Sequence, residues 1–375
     1  LSCTMLLGSL VISGCSDSNT SGTQSADNTS NGSSTAHQGE IKDISSVELV
    51  KDMKIGWSLG NTLDGGNEVN RGQAPGSIEK SWGNPDTTKE MIDEIKKAGF
   101  NVLRVPTTWD WSTGEAPEYK ISDEWFARVK EIVDYGMEND MYVILNIHHE
   151  TWHDPLEANY EAASDRLKKV WTQIGNYFKD YDEHLIFEGL NEPRVRNSDE
   201  EWNGGSDATR EVVNKLDADF VSTIRSLDGN NKLRHLMIPG YAASSSEVAL
   251  KALKIPENDD KLIVSVHAYI PYNFALSDNK RSNKWIACKE GFTNDIDNLA
   301  DMLFTDKGQA VIIGEFGARS KDNEKYRAEW AKYYVTKMKT IGVPCVWWDN
   351  GAFIGSGELF GLFDRRNLEW RYPLV

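Results

Sequence analysis

The 375 residues carry 41 Lys and Arg against 58 Asp and Glu, a formal charge of -17 at pH 7, which repels phosphate backbones and anionic headgroups and argues against nucleic acid or acidic polymers as partners. The length suits one large α/β barrel of about 250 residues with insertions and an N-terminal appendage. Thirteen Trp, thirteen Tyr and twelve Phe offer flat apolar faces with polar edges, fit for a core and for an uncharged, ring-shaped ligand.

The chain opens on a mostly apolar stretch from Met5 to Ile12 followed by Ser13-Gly14-Cys15, the pattern of a secretory signal over residues 1–15 and too short to span a bilayer. Val11-Ile12-Ser13-Gly14-Cys15 resembles a bacterial lipobox, whose cysteine is lipidated; an ordinary signal cleaved nearby without a lipid is the alternative. The initial Leu and the lack of a positive leading region imply that the signal starts before this sequence does. Residues 16–40 are nearly all Ser, Thr, Asn, Gly, Gln and Asp up to Gly39, a composition that cannot bury enough surface to fold and predicts a flexible linker. The expectation is a secreted protein held at the cell surface through Cys15, with membrane contact only through that anchor. Of the remaining cysteines, Cys345 lies in an apolar run and reads as a small buried hydrophobe. Cys288 is its one candidate partner, so no disulfide framework holds the fold.

From residue 41 to 375 short apolar runs alternate with longer amphipathic ones, the signature of a parallel sheet whose crossovers are helices. Strands are predicted at Met53–Leu59, Val102–Pro106, Tyr142–Ile147, Leu185–Leu190, Leu233–Ile238, Leu262–Val266, Ala310–Ile313 and Val343–Trp347. Between them, helical stripes run through Met91, Ile92 and Ile95; Phe126, Val129 and Ile132; Leu167, Val170, Trp171 and Ile174; and Val213, Leu216, Phe220 and Ile224. Further helices are expected over Ser244–Leu253, Asn294–Leu303 and Glu324–Met338. Eight such strands predict a (β/α)8 barrel. Only Leu359–Val375 follows the eighth, so either a closing helix lies beyond this sequence or the N-terminal segment covers that face.

Catalytic groups in such barrels gather where strands end. Those positions hold Asn61 and Asp64; Arg104; His148 and His149; Asn191 and Glu192; His267 and Tyr269; Glu315; Trp348 and Asp349. Glu192 and Glu315, after the fourth and seventh strands, would face one central opening. Paired carboxylates across a cleft are what glycosidic bond cleavage needs, one as proton donor and the other as nucleophile or base. Glycines flank Glu315 and would let a substrate approach closely. Trp57, Trp82, Trp109, Trp152, Trp202 and Trp285 fall near rim loops, where an indole can stack on the C–H face of a pyranose.

Gly56-Trp57-Ser58-Leu59-Gly60-Asn61-Thr62-Leu63-Asp64, Trp82-Gly83-Asn84-Pro85, Asn101-Val102-Leu103-Arg104-Val105-Pro106, Ile147-His148-His149-Glu150, Asn191-Glu192-Pro193, His267-Ala268-Tyr269, Gly314-Glu315-Phe316-Gly317 and Trp347-Trp348-Asp349-Asn350-Gly351 follow one another in that order. At these residues the chain resembles glycoside hydrolase family 5, most of all its branch of bacterial endo-β-1,4-glucanases and xyloglucanases. The resemblance runs from about Met53 to Pro373. It implies a retaining, cofactor-free hydrolase of β-1,4-glucan polysaccharides, with Glu192 as acid/base and Glu315 as nucleophile; a monomer is expected, though no residue pattern fixes the oligomeric state. By the same resemblance Arg104, His148, Asn191, His267, Tyr269 and Trp348 are supporting positions. His148 against His149, and Trp348 against Trp347, stay open, since neighbours on an extended run point to opposite faces.

Chemistry adds expectations of its own. Glu192 must be protonated when substrate arrives, and the like charge of Glu315 would raise its pKa. Arg104 and Tyr269 are placed to hold Glu315, and Asn191 to hold a sugar 2-hydroxyl. Branched xyloglucan, mixed-linkage glucan, mannan and xylan are alternative substrates. A noncatalytic sugar-binding barrel is the rival from another class. His149-Glu150-Thr151-Trp152-His153 also spells H-E-x-x-H, but it binds zinc only on a helix, and Asp154-Pro155 disfavours one.

Overall fold

The computed structural model describes residues 37–303 and 308–375; the predicted signal segment and nearly all of the predicted linker lie outside the described residues. In chain order the elements are α1 (Ser46–Asp52), β1 (Gly56–Leu59), α2 (Pro75–Glu79), α3 (Lys89–Lys97), β2 (Val102–Val105), α4 (Asp123–Glu138), β3 (Tyr142–Asn146), α5 (Tyr160–Tyr177), β4 (Leu185–Glu188), α6 (Asp207–Arg225), β5 (Leu236–Ser244), α7 (Glu247–Ala252), β6 (Leu262–His267), α8 (Tyr272–Ala275), α9 (Asn294–Met302), β7 (Ala310–Phe316), α10 (Glu324–Thr340), β8 (Cys345–Asp349), β9 (Phe363–Asp364) and β10 (Glu369–Trp370). Strands β1 to β8 pair in sequence order and close on themselves, all parallel, which is the expected (β/α)8 barrel. No helix among the described residues is long and apolar enough to cross a membrane.

The helices form where the apolar spacing places them. In α4, Ser122 caps the first turn by accepting from the Trp125 amide, and the helix buries Trp125, Phe126, Val129, Ile132 and Val133; such a side-chain cap satisfies one of the amides a helix start leaves unpaired. All eight predicted strands are present. The fifth begins later than expected, at Leu236 rather than Leu233, and runs on to Ser244. Leu233 instead ends a short 3-10 turn, and the fully buried Arg234 lies beneath the barrel, donating to the carbonyls of Phe178, Tyr181, Asp182 and Leu185.

Side chains alternate between the two faces of a strand, and the barrel interior is layered accordingly. Its lower layer is apolar: Val102, Ile144, Ile186, Met237, Ile263, Ile312 and Val346 cluster with Leu49, Val50 and Met53 of α1. The segment before β1 therefore plugs the barrel floor. Of the described residues before β1, Ile55 alone borders the groove on the outer face of the closing strands, where the sequence had offered the N-terminal segment as an alternative to a final helix. On that outer face the β9–β10 hairpin brings Trp370 onto Phe100, beside an apolar groove of about 800 Å³ between α3 and α10.

Two residues further up the strands the interior turns polar, with Ser58, Arg104, Asn146, Glu188 and Ser265 all fully buried or nearly so. One device then turns β7 inward at its end. The β6–β7 register pairs Val266 with Ile313 but His267 with Glu315, so Gly314 is an extra residue, as in a β-bulge. A Cβ there would lie 2.8 Å from Ser265 Oγ and 3.1 Å from His267 Nε2, so only glycine leaves room for the polar layer.

Gly189 is equally confined, since a Cβ would sit 2.5 Å from a Phe220 ring carbon, and it separates Glu188 from Asn191. Gly189→Ala is expected to cost about 1–3 kcal/mol by overpacking, seen as a lower urea midpoint together with reduced activity. An unchanged midpoint would mean that Phe220 yields freely.

Candidate active site

Arg104 on β2 is completely buried, and each of its guanidinium nitrogens has its own acceptor. Nε donates to Glu188 Oε2 at 2.8 Å, Nη1 to Glu315 Oε1 at 2.7 Å and Nη2 to Asn191 Oδ1 at 2.7 Å. Burial works against the Arg104 charge, but Glu188 and Glu315 outweigh it and hold its pKa above the usual value. Burial would likewise raise Glu188, but Arg104, His267 and Ser265 push it down to about 2. Glu188 also accepts from Ser265 Oγ at 2.7 Å and Asn146 Nδ2 at 2.9 Å. A buried ionic group survives when its charge is paired and its remaining lone pairs are used, and this layer meets both conditions.

Glu315 is held on its second oxygen by the Tyr269 hydroxyl at 2.8 Å, as expected. Burial, Glu315 and Glu192 raise the phenol well above its usual pKa, so it remains a donor. Across the cleft, His267 Nδ1 lies 2.8 Å from Glu192 Oε1 and 3.7 Å from Glu315 Oε2. One oxygen of each glutamate and one ring nitrogen of His267 all fall within 4.8 Å of one another. The expected upward shift of Glu192 is not found. Burial raises that carboxyl, but the hydrogen bond and charge of His267, then Arg194 and His149, bring it below its ordinary value. His267 is the counterpart: burial lowers it, but Glu315, Glu188 and Glu192 outweigh this and carry it to about 9. Both shifts favour the charged forms, a carboxylate facing an imidazolium across the 2.8 Å contact.

These groups line a cleft of about 820 Å³ with His148, His149, Asn191, Trp202, Tyr272, Arg319, Trp348 and Glu358. Both histidines border it, and they differ in kind. His148 is buried, its Nδ1 accepts from Asn146 Nδ2 at 3.0 Å, and burial with the nearby cations lowers its pKa well below 6.5; it is a neutral ring stacked at 5.6 Å on Trp348. His149 is half-exposed and leans on Trp82, with Nδ1 on the Asp64 carbonyl. Trp348 faces the cleft, whereas Trp347 packs outward on Phe316 and donates to the Phe360 carbonyl.

Other rim residues are structural. Asn61 is not among the cleft-lining residues; in a left-handed conformation at φ 55° it gives its amide to Asp64 and its carbonyl to Asn84. Asp64 ties down its own turn, and Asp349 accepts from Trp57 Nε1 and the Leu362 and Phe363 amides. Among the tryptophans, Trp57, Trp109 and Trp285 are core, while Trp82 and Trp202 stand exposed. The H-E-x-x-H segment is not helical. Glu150 is turned away onto the Trp109 amide and Trp152 Nε1, and His153 is buried with neither ring nitrogen paired, so the two histidines form no zinc pair. Cys345 is buried, and it and the exposed Cys288 are both free.

Sequence reasoning missed Glu188, Asn146 and Arg194. The first two carried a signal, a charged or amide group inside an otherwise apolar strand. Arg194, which bonds Glu192 at 3.3 Å and lies over Trp202, gave none, because its contact is made by a loop.

Glu188 supplies a test of the polar layer. Its folded pKa lies below the unfolded value, so its contribution is present above about pH 4.5 and is lost as pH falls through about 2. Glu188→Gln is expected to unfold about 3 kcal/mol more easily at neutral pH. In urea titrations the gap to the parent should close as pH falls toward 2; a constant gap would contradict the assigned ion pair.

Comparison with known proteins points the same way. The profile of the family described as Cellulase (glycosyl hydrolase family 5) matches residues 64–353. Endoglucanase B of Neocallimastix patriciarum is 50% identical over 89% of this chain and 71% of its own length. Endoglucanase A of Ruminococcus albus is 45% identical over 89% of this chain and 92% of its own length. Among solved structures, a GH5-4 broad-specificity endoglucanase from Ruminococcus champanellensis with bound cellotriose superposes with a TM-score of 0.84 at 42% identity, covering 89% of this chain and 98% of that one. A lichenase from Caldicellulosiruptor sp. F32 in complex with cellotetraose gives 0.84 at 43% identity, covering 90% and 95%.

Proposed function

The chain belongs to glycosyl hydrolase family 5, and from that premise we propose that it is an endo-acting β-1,4-glucanase that works by retaining double displacement, with Glu315 as nucleophile and Glu192 as acid and base. The observation that carries this reading is the close approach of the two carboxylates, with oxygens within 4.8 Å of each other. Inverting enzymes hold theirs about 6.5–9.5 Å apart to admit a water. Glu315 is held by Arg104 and Tyr269 and Glu192 by His267 and Arg194, which favours catalysis over passive sugar binding. The relatives named as endoglucanases and the neighbours with cello-oligosaccharides bound support a β-glucan substrate.

Glu315 attacks the anomeric carbon with one oxygen while Arg104 Nη1 and Tyr269 hold the carboxylate in line. The glycosidic C–O bond breaks, and the leaving oxygen takes its proton from Glu192, supplied in turn across the 2.8 Å contact with His267. The glycosyl ester neutralises Glu315, so part of the field that holds His267 protonated is removed at the moment Glu192 must become a base. Glu192 then takes a proton from water as the water oxygen attacks the anomeric carbon, and Glu315 leaves. Asn191, whose Oδ1 is committed to Arg104, keeps its amide hydrogens for the sugar 2-hydroxyl. The cleft opens to solvent along exposed Trp202, with exposed Trp82 packed on its rim residue His149, as an internal cut in a polymer requires.

Glu315→Gln should lower reducing-end release from mixed-linkage glucan and carboxymethyl cellulose by at least ~10³-fold while cellotetraose still binds; near-parental turnover would overturn the assignment. The same assay on xyloglucan, mannan and xylan ranks the backbones, with the glucans expected first. The protein is proposed to act as a monomer, which light scattering on the purified chain would check.

We further infer a lipid anchor at Cys15, supported by the Val11–Cys15 motif and the linker-like composition behind it; Cys15 lies outside the described residues. Cys15→Ser should move the enzyme out of the membrane fraction, and unchanged fractionation would contradict the anchor.

A further inference from the structure

Glu192 is gripped from two sides. His267 Nδ1 meets its Oε1 at 2.8 Å, while Arg194 Nη1 donates to its Oε2 at 3.3 Å and to its main-chain carbonyl at 2.9 Å. His267 ends β6 in the barrel wall, so the fold itself sets its position. Arg194 stands in the loop after β4, two residues beyond Glu192, and a long side chain on a loop pays in rotamer entropy to stay in one place. Three features hold it there.

The first is its backbone. The Pro193 carbonyl accepts from the Ala242 amide at 2.8 Å, and the Val195 amide donates to the Tyr241 hydroxyl at 3.0 Å, so the residues on both sides of Arg194 are bonded to the end of β5. Ala242 and Ala243 take left-handed conformations there, at φ 55° and 47°, and non-glycine residues stay in that region only where their surroundings impose it. The β5–β6 register shifts over the same stretch, between Pro239 and Ser244.

The second is Glu201, whose Oε1 accepts from Arg194 Nε at 3.2 Å while its Oε2 accepts from the Asn197 amide at 2.9 Å. The third is Trp202: the guanidinium carbon lies 4.2 Å from the centre of its ring, a cation–π contact. One planar fork thus meets Glu192 with Nη1, Glu201 with Nε and an indole with its face, a combination that a lysine ammonium has no geometry to reproduce. The Arg194 and Glu201 side chains are both largely buried.

We infer that Arg194 is a positioning residue for the reaction: braced by Glu201 and Trp202, it holds the Glu192 carboxyl at the angle from which the leaving oxygen is protonated. The inference rests on the reading of Glu192 as acid and base. His267 alone would leave the carboxyl free to turn about its Cγ–Cδ bond, and a donor on the second oxygen fixes its plane. Proton transfer requires the acid within hydrogen-bond reach of the leaving oxygen, so a misplaced carboxyl costs rate even when its chemistry is intact.

The test compares leaving groups on the full chain. A dinitrophenolate departs without a proton, whereas a sugar hydroxyl needs one, so loss of acid positioning slows the second and spares the first. Arg194→Ala should lower kcat/KM on cellotetraose by about tenfold or more, while kcat/KM on dinitrophenyl β-cellobioside stays within about twofold. Glu201→Gln keeps Arg194 but removes the charge that holds its Nε; it should show the same dependence at smaller size, and this arm stands if Arg194→Ala does not fold. Equal losses on both substrates would mean that the loop shapes substrate binding, and no loss on either would make Arg194 a surface brace; each overturns the inference. Glu192→Ala is the reference. If it depends on the leaving group and Arg194→Ala does not, the positioning role alone falls; if Glu192→Ala shows no such dependence, the acid assignment falls and the positioning role with it.

Discussion

A single arginine in the barrel interior, Arg104, commits its three guanidinium nitrogens to Glu188, Asn191 and Glu315, and the placement of the reacting groups follows from that choice. A planar fork with fixed donor directions cannot satisfy three acceptors unless they arrive at fixed angles. One of those acceptors is the proposed nucleophile, and another is the amide next to the proposed acid. Glu188 makes the arrangement tolerable in a dry interior: it supplies a second countercharge, so Arg104 would keep its charge paired in the proposed glycosyl ester of Glu315. Without Glu188, formation of the intermediate would strip a buried cation of its partner, a cost of several kcal/mol.

The barrel separates two tasks along its axis. Its lower layer is aliphatic and closed by α1, so it carries the hydrophobic stabilisation. Two residues higher the same strands carry Arg104, Asn146, Glu188 and Ser265, and the barrel surrenders apolar burial there for a polar lattice. The floor is sealed by the chain's own entry segment, while the mouth stays open on exposed tryptophans. Rigidity below and access above are what a polymer-cleaving site needs, since the reacting atoms must be held to fractions of an ångström while the substrate runs past on either side.

Periodicity made the barrel legible, because each strand is a short apolar run and each helix repeats at the spacing of its buried face. The pair proposed to react was picked out in sequence too, since a carboxylate at the end of a buried strand is costly to desolvate and persists only where it is paired or put to chemical use. The limits lay in side-chain direction and in loops. Adjacent His148 and His149 are indistinguishable in sequence, and both border the cleft, one as a buried neutral ring and the other as a half-exposed rim group. Glu188 stands out in sequence as a charge in an apolar strand, but only the closed barrel puts it against Arg104. The downward shift of Glu192 was opposite to expectation because the like charge of Glu315 was anticipated and the closer His267 and Arg194 were not. Asn61 and Asp349 sit at strand ends as catalytic groups do, yet their hydrogen bonds go to backbone and to Trp57, which no pattern of residue types reveals.

The central claim is that Arg104, Tyr269 and His267 hold Glu192 and Glu315 too close for a water to attack directly. The stereochemistry of the first product tests this without any substitution. Proton NMR recorded during the first minutes of hydrolysis of a cello-oligosaccharide should show the new reducing end appearing as the β-anomer and only later mutarotating toward equilibrium. An α-anomer appearing first would mean single displacement by water, and would contradict the close carboxylate pair.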